Sequence, residues 1–285
     1  MLYRRFSTQE EIDQQYDPAR SVDAGSALAR YQDASRAARA QLNSLQSLAF
    51  GPTLPEYLDL FSAKSPNAPL HVFFHGGYWR ALSSKEFAFV AHGLVPAGVT
   101  VAVVNYALCP QVSISEIVRQ CRAALAWLYG NAADYDYDPE RITISGHSAG
   151  GQIVGMLLAT DWAGEYGLSN NIIKGAVAIS GLFDLTPFPY SWLQPKLQLG
   201  GREVTTLSPL FQSSVVDCPV VVAVGELESE EFHRQSRDYV TWLEQAKPRG
   251  SVCHLAVPGT DHFSVIGGLG TGSGPVFESI LGQIE

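Results

Sequence analysis

Arg141-Ile142-Thr143-Ile144-Ser145-Gly146-His147-Ser148-Ala149-Gly150-Gly151-Gln152 decides how the rest of this chain is read. Ile142 and Ile144 alternate with polar residues, as in a short strand. Ile153, Val154, Met156, Leu157 and Leu158 then follow at helical spacing. Gly146-His147-Ser148-Ala149-Gly150 lies between them, a G-x-S-x-G in the strand–turn–helix context that gives the pattern its meaning. A serine at the tip of so sharp a turn has an unfavourable backbone, so the residues two positions either side must be small. The turn lifts Oγ above the sheet and sets the Ala149 amide at a helix start, where unpaired N–H groups and the helix dipole favour an oxyanion. A five-residue pattern is equally compatible with a glycine-rich turn that does no chemistry, so the surrounding sequence has to decide between the two.

Working outward, strands alternate with helical segments. Leu70–Phe74, Val99–Val104 and Pro219–Val224 are nearly continuous apolar runs, the mark of parallel strands covered on both faces. Pro55–Ala63, Ile172–Ile179 and Val252–Val257 read as further strands. Phe87–Leu94, Ile114–Tyr129, Glu230–Gln245 and Gly274–Ile284 read as helices. An alanine-rich stripe predicts an amphipathic helix over Ser21–Leu45, fit for packing or for one wall of a site entrance; residues 1–20 are polar and end in a turn. Residues 185–210, with four prolines and Phe188, Tyr190 and Trp192, break the rhythm like a small cap insertion. The expectation is a single α/β domain over 1–285, with a mostly parallel sheet and helices on both faces.

Composition narrows the function classes. The 285 residues carry 19 basic and 28 acidic side chains, a formal charge of −9, without a basic stripe, which argues against nucleic acid and anionic membrane as partners. No apolar run approaches the length of a bilayer span and no apolar leader follows Met1. Cys109, Cys121, Cys218 and Cys253 lack metal-site spacing and read as buried thiols of a reduced, cytoplasmic compartment. The expected partner is a small-molecule substrate, with a homodimer allowed.

A serine nucleophile needs a base, an orienting acid and oxyanion donors. Of the seven histidines, His262 lies just past the last strand, where such a base belongs. His75-Gly76-Gly77 after a buried strand would bring exposed amides close to a substrate, making Gly76, Gly77 and Ala149 the oxyanion donors. Tyr78, Trp79, His147 and Phe183 fall beside the site as candidate pocket walls. His71 and His75 share a strand face, but two histidines without a carboxylate make a weak metal site, so neither metal nor cofactor is expected. The acid has competitors: Asp184, Glu226, Glu228, Glu230 and Asp261 all lie near strand ends. Asp261 adjoins His262 and points elsewhere, Glu226 falls within a turn, and Glu230 already opens a helix. Glu228 lies on the loop between, with Asp184 the runner-up.

His75-Gly76-Gly77-Tyr78-Trp79, the Ser148 turn, Ser180-Gly181-Leu182-Phe183-Asp184-Leu185, Glu230-Glu231-Phe232-His233-Arg234-Gln235-Ser236 and Asp261-His262-Phe263 together resemble the kynurenine formamidase (arylformamidase) group of α/β hydrolases, within the hormone-sensitive-lipase-like esterases. The resemblance runs from about residue 70 to 265 and implies an α/β-hydrolase fold and cleavage of an aryl N-formyl amide. It aligns Glu228 with the position where that group usually has aspartate. Carboxylester hydrolysis with the same machinery is the first alternative. A hydrolase fold reused for ligand binding is the second, disfavoured by the intact Ser148, Glu228 and His262.

Overall fold

In the computed structural model, which describes residues 1–20, 22–246 and 251–284, eight strands form one sheet in the order β1-β2-β4-β3-β5-β6-β7-β8. The strands are β1 (Ser44–Ala49), β2 (Tyr57–Phe61), β3 (Ala68–Phe74), β4 (Thr100–Val104), β5 (Tyr137–His147), β6 (Gly175–Ile179), β7 (Val220–Gly225) and β8 (Val252–Val257). β1, β2 and β4 pair antiparallel, and every other pairing is parallel. Every residue of β3, β4 and β6 is buried, which is why those segments lack a polar alternate face. The two faces are still distinct. Leu70, Val72, Phe74, Ile142, Ile144 and Val222 join one core, whereas Phe73, Val101, Val103, Val177 and Ala223 join the other.

The helix Ile114–Gly130 starts where Ser113 accepts a hydrogen bond from the Glu116 amide, and its apolar stripe covers the first core. Residues 185–210 fold into short helical turns (Phe188–Tyr190, Gln194–Leu197, Gly201–Leu207) over the carboxyl end of the sheet. No helix among the described residues is long and apolar enough to cross a membrane.

Several expectations change. The amphipathic helix runs Ala24–Gln41, capped by Asp23, and the chain then enters β1, which periodicity had merged with it; Ser21, the expected start, lies outside the described residues. The polar N-terminal stretch contains the helix Gln9–Tyr16, opened by a capping box between Thr8 and Glu11. Phe87–Leu94 is not one continuous α-helix but a tight three-residue turn at Ala88–Val90 followed by a single α turn at Ala91–Leu94. Cys109, Cys121 and Cys218 are buried, but Cys253 is exposed, because β8 is an edge strand with its outer face open to water.

Buried histidines give the fold an acid sensitivity. His71 on β3 spans two hydroxyls of neighbouring β5, Thr143 at 2.8 Å and Ser145 at 2.7 Å. Burial pushes His71 down to about 3 and His75 to about 4, and drives His147 well below its ordinary value. Below about pH 6.5 the unfolded chain takes up protons that these folded, neutral rings refuse, so stability falls with pH until the folded rings protonate. Each ring contributes up to about 1.4 kcal/mol per pH unit in that window. The unfolding midpoint is therefore expected to fall continuously from pH 6.5 to 4 in a thermal scan series. A flat midpoint between pH 7 and pH 5 contradicts neutral burial.

Candidate active site

The carboxyl ends of β3 and β5, paired side by side in parallel, present two loops to the same space. Ser148 sits at φ 58°, ψ −116°, immediately before the helix Ala149–Leu158, with its own amide bonded to Ile179 O at 2.8 Å. That strained turn survives because nothing else fits around it. A Cβ on Gly146 would lie 2.2 Å from Gly150 O, and one on Gly150 would lie 2.0 Å from Phe74 O at the end of β3. The small residues of G-x-S-x-G are thus a steric requirement of two crossing backbones.

The loop after β3 is equally constrained. Gly77, Tyr78 and Trp79 are all left-handed (φ 117°, 50° and 55°), and a Cβ on Gly77 would meet Ala81 O at 2.1 Å. Side chains hold the loop in place. Tyr106 donates to His75 O at 2.7 Å and stacks on the His75 ring at 4.1 Å, while Trp79 Nε1 donates to Gln152 Oε1 at 3.1 Å. The Tyr78 hydroxyl donates to Tyr16 O, and the Ser229 hydroxyl, from the loop after β7, donates to Gln15 O at 2.6 Å. The last carbonyls of the helix Gln9–Tyr16, which have no partner within the helix, thereby tie two site loops together. Among the described residues no hydrogen bond uses the amides of Gly76, Gly77 or Ala149.

His262, beyond β8, shares a cavity with Ser148. Its Nδ1 lies 2.6 Å from Glu228 Oε2, a carboxylate with no exposed side-chain surface. Glu228 Oε1 in turn accepts from the Gly225 amide at 2.8 Å and from the Ser180 hydroxyl. Ser180 itself is left-handed at φ 49°, which turns its hydroxyl toward the acid; the motif around it was legible in sequence, its bond to Glu228 was not. The competing acids are engaged elsewhere. Asp184 accepts from Tyr3 at 2.9 Å and pairs with Arg234 at 3.4 Å. Glu226 accepts from the Gly259 amide, Glu230 pairs with Arg5 at the surface, and Asp261 accepts the amides of Phe263 and Ser264.

His147 lies against both groups. Its Nε2 donates to His262 O at 2.8 Å, so the ring holds the His262 backbone, and burial together with the neighbouring His262 keeps it neutral. Its Nδ1 is buried without a partner, facing the Gly76 backbone.

The cavity has a volume of about 110 Å³ and is walled by Leu28, Tyr31, Tyr78, Leu82, Phe87 and Phe263, with Gly76, Gly77, His147, Ser148 and His262 at its floor. Trp79 and Phe183 are corrections to the expected walls. Trp79 is fully buried under the loop against Phe188, and Phe183 stacks on Tyr239 at 4.1 Å, so both support the site from beneath. The walls that replace them come largely from the helix Ala24–Gln41 (Leu28, Tyr31) and from Phe87. A second basin of about 160 Å³ adjoins the cavity at Pro18 and His262, with Gln14, Gln15, Asp17, Arg20 and Ser229 on its polar side and Leu227 and Phe232 on its apolar side.

With the geometry described, likeness to known proteins becomes informative. The BD-FAE family model matches residues 58–243. The chain is 32% identical over 273 residues to the kynurenine formamidase of Danio rerio, a match covering 91% of this chain and 90% of that protein. A solved candidate thioesterase from Silicibacter sp. TM1040 superposes at a TM-score of 0.83 with 28% identity, over 95% of this chain and 99% of that one. A hyperthermophilic esterase from Pyrobaculum calidifontis superposes at 0.73 over 96% of both chains, but at 16% identity that likeness is one of fold.

The loop geometry makes a prediction. Gly77→Ala forces a methyl onto the Ala81 carbonyl and costs well over ~1 kcal/mol, because neither the φ nor the space suits it. The variant is expected to unfold at lower denaturant and to lose turnover, whereas Gly98→Ala, also at positive φ but with nothing near its Cβ, is expected to lose only stability. Equal behaviour of the two variants in urea titration and activity contradicts the steric account.

Proposed function

The chain belongs to the kynurenine formamidase family of α/β hydrolases, and on that premise we propose that it hydrolyses an aryl N-formyl amide through a formyl-serine intermediate. Ser148 Oγ attacks the formyl carbon while His262 takes its proton. The amides of Gly76, Gly77 and Ala149 donate to the tetrahedral oxyanion. The C–N bond breaks as His262 returns that proton to the aryl nitrogen, releasing the arylamine and leaving a formyl ester on Ser148. Water attacks the ester, giving its proton to His262, and formate leaves as Ser148 is reprotonated. Glu228 holds the imidazole by Nδ1 and stabilises the imidazolium. The reading includes a cytoplasmic site of action, supported by the buried thiols of Cys109 and Cys121.

The observation that carries the substrate class is the cavity. It is walled by apolar and aromatic side chains and has about 110 Å³ for the substrate beside Ser148. Apolar cavities of roughly 150 Å³ take one benzene ring, so this smaller space suits the smallest acyl group and only part of an aryl ring, the rest of which extends toward the opening. Ester hydrolysis needs the same floor, and the likeness to the candidate thioesterase favours it as the second reading.

Ser148→Ala is expected to lower kcat on the order of 10⁴-fold or more without a change in the unfolding midpoint; a purified variant retaining a tenth of the activity removes Ser148 from this role. Across an anilide series, kcat/KM is expected to fall from formyl to acetyl to butyryl. A steady rise to eight carbons gives the protein to the esterases.

Glu228→Gln is expected to cost roughly 10³ to 10⁴ in kcat, by loss of the imidazolium partner and the correct tautomer. Asp184→Asn, which breaks a buried pair with Arg234, is expected instead to lower stability by about 3 kcal/mol. Normal turnover in Glu228→Gln alongside a folded, inactive Asp184→Asn transfers the acid to Asp184.

A further inference from the structure

A groove of about 340 Å³ lies behind Tyr31 and Phe263 and has no part in the chemistry described so far. Those two residues line both the groove and the inner cavity, whereas Ser148 and His262 line only the cavity. The helix Ala24–Gln41 gives the groove Arg30, Tyr31 and Ala34, and Phe89 adds a ring 4.7 Å from that of Tyr31. The turn Gly267–Thr271 completes the lining. The volume is more than twice the ~150 Å³ in which an apolar cavity takes one benzene ring, enough for two fused rings.

Two features distinguish the groove from a gap in packing. The first is Gly267. Gly268 and Gly272 in the same run are glycine for steric reasons: a Cβ on Gly268 would lie 2.2 Å from Ser273 O, and Gly272 has φ 70°. Gly267 has an ordinary helical φ of −58°, and a Cβ there would meet nothing within 4 Å. Glycine is a poor helix former, and its effect at this position is to leave the groove open. The second feature is Arg30. Arg20 and Arg36, on either side of it in the chain, pair with Asp17 and Asp33, but Arg30 has no ion pair among the described residues. Its field reaches Asp23, whose carboxylate is occupied in capping the helix through Ser26. An aromatic space with one unpaired guanidinium at its exposed rim suits a flat, apolar anion, and a guanidinium can donate two parallel bonds to a carboxylate.

The groove also touches the loop that carries His262. His262 O accepts from His147 Nε2 at 2.8 Å, and the next carbonyl, Phe263 O, accepts from the Tyr31 hydroxyl. We propose that the groove binds a planar aromatic carboxylate, its rings against Tyr31, Phe89 and Phe263 and its carboxylate on Arg30, and that the bound ligand steadies His262 through the Tyr31–Phe263 bond. A ligand packed against both partners of that bond favours the conformation in which the bond is made. The coupling rests on His262 as the base of the proposed reaction; the binding site does not, and neither depends on which acyl group Ser148 receives.

Calorimetry on the full chain, on Arg30→Gln and on Gly267→Leu tests the site with 2-naphthoate and its uncharged counterpart 2-naphthamide. Hydrolysis of 4-nitrophenyl acetate tests the coupling. The wild type is expected to bind naphthoate with a Kd on the order of 10⁻⁴ M and the amide roughly tenfold more weakly. Arg30→Gln is expected to erase that difference while its turnover without ligand stays that of the wild type. Gly267→Leu, whose side chain enters the groove on a backbone that suits it, is expected to lose both ligands. Bound naphthoate is expected to raise kcat about twofold to fivefold with KM unchanged, by better placement of the base. Equal binding of acid and amide, or binding that both variants retain, overturns the site. Competitive inhibition places naphthoate beside Ser148 and overturns it too. Binding without a change in kcat overturns the coupling. Absence of ester hydrolysis removes the base and the coupling with it, and calorimetry alone then decides the site.

Discussion

The site depends on one steric constraint: the backbone of the serine turn lies directly on the end of β3. Gly150 and Phe74 leave no volume for even a methyl between them, and Gly76 comes within 3.2 Å of Ser148 Cβ if given a Cβ of its own. Parallel pairing of β3 with β5 brings these two chain segments together, and the glycines let them touch. Ser148 and the backbone of Gly76 are therefore positioned by the sheet itself, at the carboxyl ends of its central strands. Strain at Ser148, Tyr78, Trp79 and Ser180, all left-handed, is tolerated because fully buried strands over-determine the path on either side.

What the sheet does not position is supplied by the N-terminal segment. Tyr16 is completely buried, donates its hydroxyl to Glu231 at 2.7 Å, accepts from Gln235 at 3.1 Å, and lends its carbonyl to Tyr78. Gln235 also binds Asp184 from both sides of its backbone, at 2.7 Å to the amide and 2.8 Å to the carbonyl. A polar network of this kind is costly to bury unless every member is satisfied, and here the ion pairs of Arg234 with Glu231 and Asp184 complete it. The carboxylate Asp184 thus belongs to the scaffold, while Glu228, one loop away, faces His262.

Local patterns were legible where they carried a mechanism within a few residues. The turn around Ser148, the glycine pair after β3 and the histidine past the last strand each announced themselves, and so did the alternation of strands and helices. The carboxylate partner of His262 was harder, because Asp184 and Glu228 both follow strand ends and only the fold shows which one reaches an imidazole. The pocket walls were misread for a related reason. Trp79 and Phe183 adjoin site residues in sequence, but the residue after an inward-facing one turns away, and both face the core. Tyr31 and Leu28 lie about 120 residues before Ser148 and carry no signal of their own beyond a helical stripe. β1 disappeared into that stripe, and the openness of Cys253 required knowing that β8 has no neighbour on its outer side.

The clamp made by the first residues also has a meaning for biosynthesis. Tyr3 meets Asp184 across 181 positions and Tyr16 meets Glu231 across 215, so these residues can dock only on segments synthesised much later. Contacts of such long range form late, after the loop entropy they close has been overcome by the rest of the sheet. Until the first helix docks, the apolar surface that Tyr16 and Phe188 share, their rings 5.0 Å apart in the folded protein, stays open to water.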